Sequence, residues 1–80
     1  MSNFFLDRRE ELEETQMSIA VALQITPSAV GMWERFETAP RLSLAPKLAA
    51  AYKVSQDRIE AEIVKLSKQV SARREAAAAH

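Results

Sequence analysis

The 80-residue sequence contains no cysteine, a single histidine and a single glycine. Without cysteine the chain has no disulfide, no thiolate nucleophile and no zinc-finger spacing, and His80, alone at the last position, cannot form a catalytic dyad or a histidine cluster. No apolar run approaches the length of a membrane span. We therefore expect a protein that is not an enzyme, that uses no metal or cofactor and that has no membrane segment.

The sequence also lacks the signals of β-structure. Apart from Gly31 and three prolines there are few turn residues, the hairpin dipeptides Asn-Gly and Asp-Gly do not occur, and apolar and polar residues do not alternate. A hydrophobic fraction of 48% and a charged fraction of 28% are typical of a folded soluble protein. No signal peptide is recognisable at the N-terminus. The sequence predicts one small all-α protein of the cytoplasm.

Neither sign of charge is in excess, because eleven Lys and Arg balance eleven Asp and Glu. The charges are nevertheless unevenly placed: residues 1–14 carry five acidic and two basic side chains, residues 15–58 three acidic and five basic, and residues 59–80 three acidic and four basic. Nucleic-acid binding depends on the local patch of Lys and Arg rather than on the sum. Neutrality therefore does not exclude DNA as a partner, although most single charges fit a solvated helix surface.

The spacing of apolar residues predicts five helices. They are a first at about 3–14, a second of about eight residues from Thr15, a third of similar length capped by Thr26 with Pro27 in its first position, a fourth at about Ser43–Tyr52, and a fifth from a Ser55 cap to about Ala76. Their predicted inward residues are Phe5, Arg9 and Leu12; Ile19, Ala20 and Leu23; Val30 and Trp33; and Leu44, Leu48, Ala51 and Tyr52.

The second and third helices are separated by only Gln24 and Ile25. Two short helices joined in this way must turn sharply on one another, which is the geometry of a helix-turn-helix unit. Ala20 must be small as well as apolar, because the two helices cross closest at that position.

Three segments carry further motifs. Thr15-Gln16 opens the second helix, residues 29–35 read Ala-Val-Gly-Met-Trp-Glu-Arg, and residues 54–57 read Val-Ser-Gln-Asp. Together they resemble the Cro and phage-repressor type of helix-turn-helix domain, also called the XRE family, between Phe5 and Ile59. The resemblance implies a five-helix lambda-repressor-like fold, here with an extended C-terminal helix, and a pair between Arg9 and Glu34.

Three residues depart from the family pattern. Gln24 stands at the turn glycine, where a left-handed conformation would cost on the order of 1 kcal/mol. Phe36 replaces the glycine that usually follows Trp-Glu-Arg, and Glu14 replaces an apolar residue before the second helix. We expect the fold to tolerate these changes.

The resemblance further implies that the third helix enters the major groove of double-stranded DNA. The residues that would face the bases are Pro27, Ser28, Gly31 and Met32, with Ala29 at the edge. None of them is Arg, Lys, Asn or Gln, so bidentate hydrogen bonds to base edges are not available. Direct readout is therefore expected to depend on the Ser28 hydroxyl and on apolar contacts with thymine methyl groups.

Contacts with the DNA backbone are expected from Gln16, at the positive N-terminus of the second helix, and from Arg35 and Arg41, which flank the third. A solvated surface role is an equally open interpretation for each of the three. With so few cations per subunit, one monomer should bind with a shallow salt dependence.

In the last helix Ile59, Ile63, Leu66 and Val70 are spaced four, three and four, as are the a and d positions of a heptad. The family domain typically ends soon after the position of Ile59, so Leu66 and Val70 are expected to lack a surface of their own chain. We therefore predict a DNA-binding domain over 1–58 and a dimerisation helix over 59–75, giving a homodimer on a palindromic operator. The alternative is that Ile59 and Ile63 complete the core and the rest is a solvated tail.

Two further interpretations concern the outer surface and the chain end. Val21 and Ala22 give the second helix more apolar surface than its packing requires, which favours an alternative function as an antirepressor or a repressor-capturing protein. Residues 76–80 are interpreted as a candidate tag remnant.

Overall fold

In the computed structural model, the described residues 2–78 form five α-helices and one turn of 3-10 helix. Met1, Ala79 and His80 lie outside the described residues. The last two belong to the candidate tag remnant at residues 76–80, which is therefore only partly described. None of the described helices is long and apolar enough to cross a bilayer. The helices are α1 (Phe4–Glu11), α2 (Gln16–Leu23), α3 (Pro27–Glu34), α4 (Ala45–Tyr52) and α5 (Gln56–Ala78), with the 3-10 turn at Leu42–Leu44. The predicted all-α fold is confirmed.

Short polar side chains cap the starts of α1, α2, α3 and α5, and the caps Thr26 and Ser55 are those that the sequence predicts. The Thr15 hydroxyl accepts a hydrogen bond from the Ser18 amide at the start of α2, and Thr26 accepts one from Ala29 at the start of α3. Ser55 accepts one from the amide of Arg58 at the start of α5. Each bond satisfies an amide that has no partner within its own helix.

Two predicted boundaries are wrong by a few residues. The first helix ends at Glu11 rather than near residue 14, because Glu13 adopts a left-handed conformation with φ of 57° and turns the chain toward α2. The fourth begins at Ala45 rather than near Ser43, since residues 42–44 form the tighter 3-10 turn and Pro46 follows in the first turn of α4.

The two departures at glycine positions keep the glycine backbone. Gln24 lies in the left-handed region with φ of 59° and ends α2, and Phe36 does the same with φ of 61° after α3. The sharp turn between α2 and α3 is thus made by a residue whose side chain opposes it. The turn is imposed by packing, because Ile19, Ala20 and Leu23 on the inner face of α2 are 0–2% exposed.

The core lies between α1, α3 and the C-terminal half of the chain. The Phe5 ring stacks at a tilt on Trp33, with centroids 5.9 Å apart, and edge-on against Tyr52, at 5.5 Å. Tyr52 is completely buried, its hydroxyl has no hydrogen-bond partner among residues 2–78, and burial raises the pKa of Tyr52.

The apolar stripe of α5 belongs to this same core. Ile59, Ile63, Leu66 and Val70 are 0%, 2%, 2% and 5% exposed within the single chain. The expectation that Leu66 and Val70 lack an intramolecular surface is therefore wrong, and the four residues do not form an available dimer seam. A spacing of four, three and four is common to heptads and to any helix that buries one face. The helix is also continuous across residues 58 and 59, where the sequence suggested a boundary.

Candidate nucleic-acid interface

A buried carboxylate organises the region where α2 and α3 meet α1. Glu34, 6% exposed, receives two hydrogen bonds from Arg9: one from Nε at 2.6 Å and one from Nη2 at 2.9 Å. Arg9 also donates to the carbonyl of Glu14 at 3.0 Å, which ties down the loop before α2. The hydrogen bond to Glu34 raises the pKa of Arg9. The Arg9–Glu34 pair implied by the family resemblance is confirmed.

Glu34 also fixes the side chain of Gln16. The Gln16 amide nitrogen donates to Glu34 Oε1 at 3.0 Å, although the two residues are 18 positions apart. A carboxamide nitrogen carries two hydrogens, so one N–H remains for another acceptor. Glu34 thus positions Gln16, the residue expected to contact a phosphate, at the first turn of α2.

Gly31, which the resemblance places on the groove-facing surface, is covered by two side chains. It is buried, and a Cβ added to it would come within 2.9 Å of Arg35 Nη1, 3.3 Å of Gln16 Nε2 and 3.5 Å of Gln16 Oε1. The missing side chain therefore makes room for a guanidinium group and an amide to lie side by side above α3. Gly31 thus has a packing role that supports two hydrogen-bond donors, and its contact with a base stays a prediction.

The other residues expected near the bases are Pro27, Ser28 and Ala29 in the first turn of α3 and Met32 about one turn later. Ser28 is exposed, while Pro27, Ala29 and Met32 are partly exposed. This surface offers one hydroxyl beside methyl and methylene groups, which matches the prediction of an interface with few hydrogen-bonding groups.

The two arginines expected to contact the DNA backbone line different depressions. Arg35 is exposed and its Nε donates to Glu37 at 2.6 Å, so a neighbouring carboxylate offsets part of its charge. Arg41 is exposed just before the 3-10 turn, beside a depression that Ala29 and Trp33 also line. The structure brings Arg35 together with Gln16 but places Arg41 apart from them.

Three side chains outside the predicted site fasten the ends of its helices. Asn3 accepts from the Leu6 amide at the start of α1 and donates to the Trp33 carbonyl at the end of α3. Arg8 donates to the carbonyls of Tyr52 and Lys53 at the end of α4. Arg73 donates to the carbonyl of Arg35. Apart from the Asn3 cap, these bonds span at least 30 positions, so no local sequence signal identifies them.

A groove of about 760 Å³ opens beside Gln16 and Arg35. Its floor is Gly31 and its far wall is the last part of α5, which brings Gln69, Ala72 and Arg73 to the same edge. Leu6 and Phe36 supply apolar lining. Within residues 2–78, no cluster of three or more His, Cys, Asp or Glu side chains is placed to hold a metal ion.

Comparison with known proteins agrees with this geometry. A helix-turn-helix family of the XRE type matches residues 7–59, which is more than half of the chain and includes α2, α3 and α4. No curated protein and no solved structure matches the chain. The family match indicates a DNA-binding regulator. This chain belongs to the XRE-type helix-turn-helix family.

Proposed function

We propose that this protein is a Cro-like or repressor-like transcriptional regulator, which places α3 in the major groove of an operator and blocks transcription by occupying it. The observation that carries the proposal is the meeting of the Gln16 amide and the Arg35 guanidinium above Gly31. Both groups donate hydrogen bonds and lie over Gly31, one turn beyond the exposed Ser28, so the two hold the DNA backbone while the first part of α3 reads the groove.

The N-terminus of α2 strengthens this edge. Thr15 caps only the amide of Ser18, which leaves the amides of Gln16 and Met17 at the first turn directed out of the helix. Backbone amides at a helix N-terminus, together with the helix dipole, favour an anionic oxygen. We therefore assign the first phosphate contact to Gln16 and the start of α2.

Recognition of the operator should be modest in strength. Ser28 is the single exposed hydroxyl on the base-facing half of α3, and Pro27, Ala29 and Met32 offer apolar contacts that suit thymine methyl groups. Sequence-dependent DNA shape would then contribute a large share of the specificity.

A gel-shift assay tests DNA binding and its anchors. The probe is a duplex from the region upstream of the protein's own gene, compared with a shuffled duplex at two salt concentrations. Arg35→Ala with Arg41→Ala should weaken binding and reduce the slope of log K against log salt by about 0.9 per lost phosphate contact. The matched control is Lys47→Ala with Lys65→Ala, which removes two charges elsewhere. Full binding by the arginine variant would contradict the assignment.

We also propose that the regulator is a homodimer on a palindromic operator, with an interface on the outward face of α5. Val64 is 41% exposed there, with Glu60 one turn before it and Lys68 one turn after it. A two-fold axis at Val64 would bring two such helices together antiparallel, with Glu60 opposite the partner's Lys68. Two symmetric ion pairs would then flank an apolar contact.

Sedimentation equilibrium at micromolar concentration tests the dimer. Val64→Asp should halve the mass, because it places two like charges at the two-fold axis. Val21→Asp is the matched control, since Val21 is an even more exposed valine, at 68%, on α2. Leu66 also lies on α5, but Leu66→Asp cannot test the dimer because Leu66 is buried in the core of its own chain. A wild-type monomer, or a Val64→Asp dimer, would refute this interface.

A second candidate function is capture of another helix-turn-helix regulator through α2. The observation that favours it is an apolar surface on this helix: Met17 and Val21, one turn apart, are 59% and 68% exposed. Ala22 and Ala50 continue this surface toward α4. The gel shift separates the two functions, because a repressor-capturing protein would fail to retard any duplex at low salt.

A further inference from the structure

We infer that Arg73, on the extended part of α5, is a third contact for a DNA backbone phosphate and that the groove beside Gln16 and Arg35 receives that phosphate. The inference rests on the proposed function. It adds a residue that lies beyond residues 7–59, the part of the chain that matches the family.

The first step is the position of Arg73. Its Nη1 donates to the carbonyl of Arg35, at the end of α3, and its side chain lines the groove together with Gln16 and Arg35. The next residue, Arg74, donates to the carbonyl of Glu37 at 3.4 Å. These bonds hold the end of α5 against the loop after α3, so the guanidinium of Arg73 is kept at the DNA-facing edge.

The second step is the charge of the groove. Its lining includes one carboxylate, Glu34, which is already neutralised by two hydrogen bonds from Arg9. Glu37 accepts a hydrogen bond from Arg35 Nε, whereas Arg35 Nη1 lies above Gly31. Two guanidinium groups and the carboxamides of Gln16 and Gln69 therefore line this space, and its apolar walls are Leu6, Phe36 and Ala72. Guanidinium groups bind phosphate oxygens through two parallel N–H bonds, so this arrangement favours a phosphodiester.

The test is fluorescence anisotropy with a labelled non-specific duplex over a range of salt concentrations. Arg73→Ala should reduce the slope of log K against log salt by about 0.9 per subunit and weaken binding about tenfold at 50 mM salt. Lys65→Ala is the matched control because it removes one charge from the same helix outside the groove. Equal slopes for these two variants would overturn the inference.

A second variant, Arg73→Lys, distinguishes a phosphate contact from a purely structural role of Arg73. Arg73→Lys keeps the charge but loses the planar fork, so it should restore the slope and only part of the affinity. If Arg73 acted only by capping α3, Arg73→Lys and Arg73→Ala would leave the salt slope at the wild-type value, which would also overturn the inference.

Wild-type protein that binds no duplex would refute the proposed function itself, whereas wild-type binding with an unchanged Arg73→Ala slope refutes only the role of Arg73. Competition by inorganic phosphate at millimolar concentration in wild type but not in Arg73→Ala would support a phosphate site in the groove.

Discussion

Single residues in left-handed conformations show where packing overrides backbone preference. Gln24 and Phe36 both have φ near 60°, at places where the family uses glycine. They differ in what their side chains do: Gln24 is exposed, while Phe36 is partly buried and packs against the core. Of these two residues, Gln24 is the one whose conformational cost is separate from a gain in packing.

Gln24→Gly should therefore stabilise the protein. Removing Cβ relieves a left-handed residue of about 1 kcal/mol of strain, and the exposed side chain gives up no core contact. Chemical denaturation should show a higher free energy of unfolding. Lys65→Gly, at an exposed interior position of α5, should lower it by about 1 kcal/mol. A loss of stability in both variants would mean that the turn does not carry this strain.

At the scale of elements, side chains of α1 and its N-cap form hydrogen bonds with the C-terminal ends of two other helices. Arg8 donates to the last carbonyls of α4, Tyr52 at 2.9 Å and Lys53 at 3.1 Å, and Asn3 donates to Trp33 at the end of α3. Carbonyls at a helix C-terminus have no partner within the helix, so these side chains replace solvent. Arg8 of α1 and its N-cap Asn3 thus hold the C-terminal ends of α4 and α3.

Arg8→Met tests this fastening while it keeps most of the aliphatic stem. The loss of two hydrogen bonds from a charged group should lower the free energy of unfolding by roughly 1.5–3 kcal/mol, as measured by urea denaturation. Glu11→Gln is the control, because Glu11 is an exposed partner of Arg8 at 3.6 Å and its removal should change stability by less than about 1 kcal/mol. Equal effects of the two variants on the free energy of unfolding would show that the surface ion pair, not the hydrogen bonds to the carbonyls, provides the stabilisation.

The elements also show which features a sequence can predict. Caps such as Thr15, Thr26 and Ser55 were predictable because their bonds reach three residues along the chain. The surface that covers Leu66 and Val70 was not, because a spacing of three and four fixes which face is apolar but not what packs on it. Arg8 and Arg73 were missed because each acts on a carbonyl brought near only by the completed fold.

For the whole molecule, the net charge is zero, so DNA binding depends on which charges lie near the DNA. The acidic excess lies in residues 1–14, whereas Arg35, Arg41 and Arg73 lie around α3. Glu37 is the exception, because it is exposed and pairs with Arg35 at the edge of the interface. In the proposed complex a phosphate competes with this carboxylate for the guanidinium group of Arg35, so Glu37 should weaken binding of every DNA sequence alike.

Glu37→Gln should consequently raise the affinity for a non-specific duplex and steepen its salt dependence. Removal of one negative charge near the backbone frees Arg35 to release a further counterion, which would increase the slope by up to about 0.9 per subunit. Gln retains an oxygen that can accept from Arg35 Nε, so the side chain of Arg35 should keep its position. The measurement is fluorescence anisotropy at several salt concentrations, with Glu11→Gln as a control that removes the same charge from α1. Equal slopes in the two variants would show that Arg35 does not reach a phosphate, because the local pairing of Glu37 would then have no effect beyond the change in net charge.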